Sequence, residues 1–454
     1  MEGTVNRVMI AGTNSGCGKT TVTCAILQAL KNRGLSLGAF KCGPDYIDPM
    51  FHSSIIGAKS ANLDLNFFTK NILKYLLVKN GRDQDVNIIE GVMGFYDGQS
   101  LISSKASSYE IAEATRTPAV LVVGARGAAI SILASIQGFL DFVPDSQIRG
   151  VILNQCSKMS YGPLKNAILE RFQGRVKPLG FLPPMADAAL ESRHLGLVTA
   201  REVENLKEKL QTMARAAEDY IDLDGLLALS KDVDPIFYED VEIPKFSESV
   251  RIAVAMDKAF CFYYGDNLTL LKEMGGEIVP FSPLEDSQLP QNIQGLYLGG
   301  GYPELYLEKL SQNKTMLSSI RQAAEKGLPI LAECGGFMYL NKSIAGHPMV
   351  NLLPGDCEDQ KKLTRFGYVT LTAKQDNLLC RAGEKIQGHE FHHWDSTENG
   401  SDFEARKLTG KHWDCVFAAD RLYAGFPHFH FYSNLSFGKN FYETCLRYKG
   451  EHHD

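Results

Sequence analysis

Short apolar runs alternate with helix-length segments along the first half of the chain. The runs cover residues 8–11, 38–41, 86–90, 119–123, 150–154 and 177–182. Continuous apolar runs that alternate with segments long enough for a helix are typical of strands in a parallel sheet. The pattern predicts βαβ units and a mostly parallel sheet in this half. In residues 199–230, charged residues interspersed with Leu and Ala predict helix.

A second alternating series begins after a stretch with little periodicity. Residues 231–249 contain prolines and several acidic residues, and we interpret them as a linker. Beyond them the pattern predicts a helix at 265–274 and strands at 251–255, 277–280, 295–298 and 329–332. The sequence therefore predicts an α/β protein with two domains, residues 1–245 and residues 246–454.

Composition and charge exclude some classes of protein and leave the predicted two-domain α/β fold unchanged. The chain has 454 residues, of which 44% are hydrophobic and 22% charged, with a formal net charge of −6. Such a charge gives no global attraction to nucleic acid or to anionic membranes. No run approaches the ~20 apolar residues of a membrane helix, and no secretory signal is visible. We expect a cytoplasmic protein without nucleic-acid or membrane partners, and a homodimer is compatible with the sequence.

The ten cysteines do not form a recognisable framework. They include no Cys-x-x-Cys pair and no regular Cys/His spacing. In a cytoplasmic chain this argues against both disulfides and a structural zinc site. We expect most of them to be buried small side chains, with one exception that is described below.

The first apolar run leads directly into a glycine-rich turn and then a helix. Backbone N–H groups of such a turn, together with the helix N-terminus, form a cradle for the phosphates of ATP. Lys19 is expected to reach the β- and γ-phosphates, and the Thr20 hydroxyl to bind Mg²⁺. The predicted ATP-binding residues of the turn are Gly12, Thr13, Asn14, Ser15, Gly16, Cys17, Gly18, Lys19, Thr20 and Thr21.

The form of this turn separates two classes of ATP-binding protein. Its first glycine lies one residue earlier than in the common phosphate loop, and Gly-Thr-x-x-x-x-Gly-Lys-Thr resembles dethiobiotin synthetase and its relatives. Partition-type ATPases, which act as switches, carry an extra lysine where this chain has Asn14, so that class is disfavoured. Asn154 ends another apolar run and resembles the residue that contacts adenine in dethiobiotin synthetase-like folds.

Acidic residues gather near the expected ends of neighbouring strands. Glu90 ends the run 86–90, and Asp97 lies on the glycine-rich loop after it. Asp45 and Asp48 flank Tyr46 after another strand, and the preceding Gly-Pro predicts a loop that carries both acids at its tip. Activation of a carboxylate by ATP gathers several anions, so lysine and Mg²⁺ are needed there.

These acids have overlapping candidate roles. Asp64 could be a further acid of this group or a helix cap. The candidate Mg²⁺ ligands are Thr20, Glu90, Asp48 and Asp97, and the candidate substrate-binding residues are Asp45, Tyr46, Asp48 and Asp97.

The second half contains a strand, a sharp turn at Cys334 and a helix. Such an elbow exposes a nucleophile and directs a helix N-terminus at it, which favours the thiolate. A strand upstream runs into a glycine triplet whose N–H groups could form an oxyanion hole. The candidate oxyanion residues are Gly299, Gly300, Gly301 and Gly335.

These features resemble class I glutamine amidotransferases, with two departures. Ala332 stands where glycine is usual, and the usual Phe-His-Pro-Glu is replaced by Pro-His428-Phe-His430. His428 aligns with the family's base and His430 occupies the place of its glutamate. Either histidine could therefore be the base that activates Cys334.

The resemblance extends to the cobyrinic acid a,c-diamide synthase family along nearly the full chain. Cobyric acid synthase has the same two-part layout but a less complete phosphate loop. Cytidine triphosphate synthase shares the layout too, but its longer N-terminal motifs are absent from this chain. The stretches that carry it are 12–21, 41–49, 90–98, 193–197, 259–264, 299–304, 333–340 and 388–392. It implies a P-loop NTPase-type N-terminal domain and a class I glutamine amidotransferase-like C-terminal domain.

The implied reaction uses ATP and L-glutamine with Mg²⁺ to amidate two acetate side chains of a tetrapyrrole. Hydrogenobyrinic acid and nickel sirohydrochlorin are the substrates of close relatives, and the choice of macrocycle stays open. A second histidine cluster, residues 388–394, is interpreted as substrate contact or packing between domains. Its spacing is not that of a helical zinc motif.

Overall fold

The computed structural model describes residues 1–185 and 206–452, which form two compact units, Met1–Val241 and Glu242–Asp454. The α/β class with a parallel sheet at the N-terminus is confirmed. The stretch 193–197 and the start of the predicted helix at 199–230 lie outside the described residues. In the part of the chain that the structure describes, no helix has the length and apolar character needed to cross a membrane.

The first unit is built on a seven-stranded, fully parallel sheet. Its strands are almost completely buried because helices pack on both faces. In spatial order the strands are Lys59–Leu63, Leu37–Cys42, Val86–Glu90, Arg7–Gly12, Ala119–Gly124, Ile148–Asn154 and Lys177–Leu182. All but the edge strand Lys59–Leu63 correspond to predicted apolar runs, with ends that differ by at most two residues.

Side-chain caps fix where several helices of this unit begin. Thr69, Ser107, Ser157 and Asp222 each accept a hydrogen bond from an N–H of the first turn, which satisfies a group that has no partner within the helix. The helices are Lys19–Asn32, Ile47–Phe51, Lys70–Gly81, Ser108–Thr115, Ser131–Asp141, Lys158–Phe172, Leu206–Tyr220 and Leu223–Lys231, with a π-helical turn at His52–Ile56.

The predicted linker is not entirely irregular. Ile236–Phe237 within it forms a short antiparallel pair with Glu2–Gly3, so the start of the linker belongs to the first unit. The predicted helix before it is two helices, because Ile221 forms an isolated bridge with Gly180 and Asp222 caps a new helix after it. The local propensity was correct, but the break depends on one side chain.

The second unit contains a six-stranded sheet that carries its functional residues. Five neighbouring strands are parallel and the last pairs antiparallel at the edge. In spatial order they are Glu277–Phe281, Arg251–Ala255, Gly295–Leu298, Ile330–Glu333, Leu422–Gly425 and Phe417–Ala419. The helices of this unit are Gly265–Glu273, Leu307–Gln312, Lys314–Glu325, Gly335–Leu340 and Leu435–His452, with 3-10 turns at Pro303–Leu305 and Phe431–Ser433.

Two further sheets in this unit, one antiparallel and one mixed, were not predicted. One has five strands, His412–Cys415, Phe403–Arg406, Arg365–Ala373, Lys385–His392 and His428–Phe429. The other has four strands, His347–Pro348, Ser343–Ile344, Asp356–Asp359 and Trp394–Ser396, and Phe260–Phe262 also pairs with Gly300–Gly301. Most of these strands are short and partly exposed, so no continuous apolar run marks them.

Candidate functional site

The phosphate loop joins the central strand Arg7–Gly12 to the helix Lys19–Asn32. Gly16 and Gly18 within it have left-handed φ angles of +81° and +94°, which glycine adopts without strain. A Cβ at Gly18 would also lie 1.9 Å from Nδ2 of Asn154. Residues 14–16 are exposed, so phosphate oxygens can reach the loop's backbone and the N-terminus of a 14-residue helix.

Lys19 lies over the loop as a phosphate-binding lysine must. Its Nζ donates a hydrogen bond to the carbonyl oxygen of Asn14 at 3.1 Å, which places the charge above the cradle. Burial, assisted by the nearby charge of Lys41, lowers the pKa of Lys19. An anion held in the loop would offset both effects, so this side chain gains electrostatic stabilisation when phosphate binds.

Asn154 supports the loop from the neighbouring strand. Its Nδ2 donates to the carbonyl oxygen of Cys17 at 2.9 Å, and the side chain packs against Gly18. The structure thus places Asn154 beside the phosphate cradle and assigns its amide nitrogen to the loop's backbone. A contact with adenine, which the resemblance suggested, stays a prediction.

Glu90 lies at the centre of a buried polar cluster. Its Oε1 accepts hydrogen bonds from Thr20 Oγ1 at 2.7 Å and from Lys41 Nζ at 2.8 Å. Its Oε2 lies 3.5 Å from Nε2 of His52. The Glu90 side chain is fully buried, so this carboxylate is held by specific partners instead of water.

Thr20 and Glu90 fit a magnesium site. A hydroxyl and a carboxylate oxygen, both ligand types that Mg²⁺ prefers, lie next to each other beneath the phosphate loop. Mg²⁺ in such sites is completed by nucleotide phosphates and water. Within the ranges that the structure describes, no three His, Cys, Asp or Glu side chains are grouped to hold a metal ion by themselves.

The sequence predicted that Asp48 lies at the tip of a loop, and this prediction is wrong. It is in the first turn of the helix Ile47–Phe51, is 9% exposed, and forms an ion pair with Lys41 at 2.5 Å. Pro49 is compatible with this helix because N–H groups of the first turn have no partner within a helix. The candidate magnesium ligand Asp48 is therefore engaged by a lysine.

Asp45 and Tyr46 precede the same helix. Oδ1 of Asp45 accepts a hydrogen bond from the N–H of Ile47 at 2.8 Å. Burial, together with the charge of Asp48, raises the pKa of Asp45 to about 7. The pair of acids can thus hold one proton between them near neutral pH, which suits a site that must receive another carboxylate.

Asp97 is exposed on the loop that follows Glu90. Its Oδ2 accepts the N–H of Gly94 at 2.8 Å. The N–H of Phe95 donates to the carbonyl oxygen of Gly12 at 2.8 Å, which holds this loop against the phosphate loop. Asp64 instead accepts the N–H of Asn66 at 2.7 Å and stabilises a turn.

A cleft of about 790 Å³ opens beside the phosphate loop in the first unit. Tyr96 forms its apolar side, stacked on Phe139 with ring centroids 5.5 Å apart. Phe142, which is 67% exposed, extends this aromatic surface. A cleft of this size with aromatic rings and adjacent polar backbone suits a flat conjugated ligand.

In the second unit, Cys334 lies on a strained elbow after the strand Ile330–Glu333. Its φ of +48° and ψ of −102° are unusual for a residue with a side chain, and such strain occurs at nucleophile elbows. The N–H of Cys334 donates to Gly425 O at 2.8 Å. A Cβ at Gly336 would lie 2.2 Å from the carbonyl oxygen of Leu298, so only glycine permits this close approach of strand and helix.

His428 contacts Cys334 and a carboxylate at once. The side chains of Cys334 and Glu333 both hydrogen-bond with its imidazole, and Nδ1 lies 3.3 Å from Oε2 of Glu333. Burial alone would lower the pKa of His428, but these two neighbours raise it to about 10. The imidazolium is therefore stabilised beside the thiol, as nucleophilic catalysis by cysteine requires.

His430 is directed to different partners. Its Nδ1 accepts the N–H of Tyr432 at 3.2 Å, its Nε2 lies 3.8 Å from Oδ2 of Asp266, and its ring packs on Tyr264. These contacts lock the ring in a buried polar setting. The two histidines that the sequence left as alternatives thus lie in distinct environments.

The glycine triplet lies beside His428 and Gly335, but its members differ. The N–H of Gly299 donates to the hydroxyl of Tyr263 at 2.8 Å, so it is already engaged. A Cβ at Gly300 would lie 2.4 Å from Cε1 of His428, and one at Gly335 would lie 3.1 Å from N of Gly301. Backbone N–H groups of Gly300, Gly301 and Gly335 are therefore near where an oxyanion would form.

The histidine cluster at 388–394 borders this site through the five-stranded sheet. His389 lies directly opposite His428 in the strand pair, and His392 stacks on Phe426 with ring centroids 4.0 Å apart. Burial lowers the pKa of His389 to about 3 and that of His392 to about 4, so both are neutral. These contacts hold the strand that pairs with His428.

The structure also identifies partners that the sequence did not single out. His52 lies in a segment without a recognisable motif, so no sequence signal pointed to it. Tyr263 lies in the stretch 259–264, which carries the family resemblance, but the sequence did not indicate its contact with Gly299. Glu333 precedes Cys334 directly, and its position next to a nucleophile at a strand end was a usable signal. Lys41 lies one residue before the end of a buried strand, where a charged residue needs a reason.

Comparisons with known proteins assign a family to each half of the chain. Residues 8–198 match the family model described as a CobQ/CobB/MinD/ParA nucleotide binding domain, and residues 251–435 match that of a CobB/CobQ-like glutamine amidotransferase domain. The cobyrinate a,c-diamide synthase of Clostridium acetobutylicum is 41% identical over 95% of this chain and 99% of its own length. The proteins of that name from Caldanaerobacter subterraneus subsp. tengcongensis and Listeria monocytogenes are 40% and 39% identical, over 96% and 95% of this chain and 98% of each relative.

Proposed function

The chain belongs to the cobyrinate a,c-diamide synthase family, and on that premise we propose that it amidates the a and c acetate carboxylates of a cobyrinic-acid-type tetrapyrrole. The amide nitrogen comes from glutamine and the energy from ATP, which makes the protein a carbon–nitrogen ligase of cobalamin biosynthesis. One observation carries this proposal. Relatives of that name match nearly the full chain, including the phosphate loop and the cysteine elbow.

The second unit releases ammonia from glutamine. Cys334 gives its proton to His428 and attacks the amide carbon of glutamine, and the carbonyl oxygen becomes an oxyanion. N–H groups of Gly300, Gly301 and Gly335 stabilise that charge, while Gly299 remains bonded to Tyr263. The imidazolium returns the proton to the leaving nitrogen, ammonia departs, and water hydrolyses the thioester to glutamate.

The first unit activates the macrocycle's carboxylate. The phosphate loop and Lys19 hold ATP, and the acetate oxygen attacks the γ-phosphorus to give an acyl phosphate and ADP. Ammonia then attacks the acyl carbon and expels inorganic phosphate. Thr20 and Glu90 would hold Mg²⁺, which when bound neutralises phosphate charge. Asp45, Asp48 and Asp97 would position the macrocycle or its activated carboxylate.

The experiment that tests the proposal supplies ATP, glutamine and one macrocycle at a time. The panel is cobyrinic acid, hydrogenobyrinic acid and nickel sirohydrochlorin, the three substrates that the family resemblance leaves open. We expect two successive amidations of cobyrinic acid, each seen by mass spectrometry as one carboxyl converted to a carboxamide. If another macrocycle of the panel is amidated faster than cobyrinic acid, that macrocycle becomes the assigned substrate. If none of the three is amidated, the proposal is overturned.

Amide variants of the four acids should separate metal binding from macrocycle binding. Glu90→Gln is expected to lower kcat by on the order of 10²-fold and to raise the Mg²⁺ concentration needed, because Glu90 accepts from Thr20. Asp45→Asn and Asp48→Asn are expected to raise the macrocycle KM or to release singly amidated product. Asp97→Asn could follow either course. Steady-state kinetics at varied Mg²⁺ and macrocycle, with separation of mono- and diamide, measure both effects.

A matched control is available on the same unit. Asp83 is an exposed acid that forms a surface ion pair with Arg82, so Asp83→Asn should keep the kinetics of the unmodified protein. Near-normal kinetics and product ratios for all four test variants would show that these acids serve neither role.

A further inference from the structure

We propose that Glu333 is the carboxylate that orients His428, in place of the glutamate that class I amidotransferases usually carry two residues after the histidine. In this chain that later position is His430. The assignment rests on the glutaminase half of the proposed function, and it makes Glu333 a positioning residue that acts through His428.

A cysteine–histidine pair needs a third group for two reasons. The carboxylate fixes the imidazole tautomer and ring orientation, and it stabilises the imidazolium that forms when the thiol is deprotonated. Glu333 is placed to do both, because its Oε2 lies 3.3 Å from Nδ1 of His428. A proton held on Nδ1 leaves Nε2 as the atom that exchanges a proton with Cys334.

Burial makes this contact specific. Glu333 is 1% exposed and His428 is 4% exposed, so neither can be satisfied by bulk water. Burial raises the pKa of Glu333, and the hydrogen bond with His428 opposes that rise. A buried carboxylate is retained in its charged form only where it has a partner of this kind.

The sheet fixes the relative position of all three groups. Glu333 is the last residue of the strand Ile330–Glu333, and it lies directly opposite Gly425 in the neighbouring parallel strand. His428 follows Gly425 by three residues, and Cys334 follows Glu333 by one. The carboxylate therefore approaches the histidine from the nucleophile's own strand.

The alternative pair, His430 with Asp266, does not match this geometry. Its nitrogen and oxygen are 3.8 Å apart, and Nδ1 of His430 is already an acceptor for the N–H of Tyr432. Both residues are buried beside Tyr264. We assign this second pair to the packing of the segment that carries His428.

The test compares two buried carboxylates changed to amides. In Glu333→Gln we expect glutamine hydrolysis, measured as glutamate release, to fall on the order of 10²-fold or more, with kcat affected more than KM. The alkaline limb of its pH profile should move to lower pH, because the imidazolium loses its anionic neighbour. Turnover with ammonium chloride in place of glutamine should stay at the level of the unmodified protein. Asp266→Asn is the control and should keep both glutamine hydrolysis and its pH limb.

The other outcomes are decisive as well. Loss of hydrolysis in Asp266→Asn but not in Glu333→Gln would assign the carboxylate to His430 and overturn the proposal. If Glu333→Gln does not fold, Glu333→Asp is the deciding variant. It keeps the negative charge but places it one methylene further from His428. We expect that variant to hydrolyse glutamine at an intermediate rate with an unshifted limb, and full loss would contradict us.

The assay also separates this inference from the proposed function. Glutamate release does not depend on which macrocycle is amidated, so an error in that choice leaves the comparison intact. An unmodified protein that releases no glutamate would overturn both the amidotransferase and the role of Glu333.

Discussion

Replacement of Cys334 by serine should abolish glutamine-dependent amidation while free ammonia still supports it. The thiol serves only to release ammonia, and serine at the same elbow is a far weaker nucleophile beside His428. We expect a loss on the order of 10⁴-fold with glutamine as nitrogen donor. With ammonium chloride at alkaline pH, kcat and the macrocycle KM should match those of the unmodified protein.

Cys380 provides the matched control for this substitution. It is a buried free cysteine in the same unit, and its sulfur contacts the side chain of Asn377, a contact that a serine hydroxyl can replace. Cys380→Ser should therefore keep both activities. A folded Cys334→Ser protein that had also lost ammonia-dependent turnover would contradict the division of labour between the two units.

Replacement of Lys19 by alanine should remove ATP-dependent activation without stopping glutamine hydrolysis. The lysine lies over the phosphate cradle, and no other residue of the turn carries a positive charge that could take its place. We expect kcat for amidation to fall on the order of 10²- to 10³-fold, with weaker ATP binding. Thr20→Ala should give a similar loss that added Mg²⁺ partly restores. Nucleotide titration and product analysis measure both.

The same helix supplies the control for the lysine. Lys31 is exposed near the helix end and donates to the carbonyl oxygen of Gly57, so Lys31→Ala should leave ATP binding unchanged. Basal glutamate release should persist in Lys19→Ala, because Cys334 belongs to the other unit. Unchanged nucleotide affinity in Lys19→Ala would disprove the phosphate-loop assignment.

The sequence predicted those parts of the fold that are periodic and apolar. Six of the seven strands of the parallel sheet were found because each is a buried run with no polar face. The strand Lys59–Leu63 was missed because it lies at the sheet edge and begins with the exposed Lys59. The antiparallel and mixed sheets of the second unit were missed because most of their strands are short and partly exposed. The two longer strands, Arg365–Ala373 and Lys385–His392, are only partly buried.

For the candidate sites, the sequence predicted the backbone motifs but not the side-chain partners. Motifs with a fixed backbone shape, the phosphate loop and the Cys334 elbow, could be located from sequence because glycine positions and flanking elements define them. Side-chain partners could not, because they depend on which strands become neighbours. Asp48 was expected at the tip of a loop, yet it lies in the helix Ile47–Phe51 and contacts Lys41. Glu333 was passed over because its partner His428 is 95 residues away.

One oxygen atom of Glu90 has a consequence for the order in which substrates bind. It accepts hydrogen bonds from both Thr20 and Lys41, and Lys41 is also paired with Asp48. These contacts link Thr20 to Asp48 through Glu90 and Lys41. A ligand that shifts Thr20 therefore changes the electrostatic environment of Asp48, and a ligand that shifts Asp48 changes that of Thr20. By thermodynamic linkage, nucleotide and macrocycle must then alter each other's affinity by the same factor. Each amidation converts one ATP to ADP, so a second ATP must bind before the second amidation. Where the coupling is favourable, the singly amidated product would strengthen the binding of that second ATP.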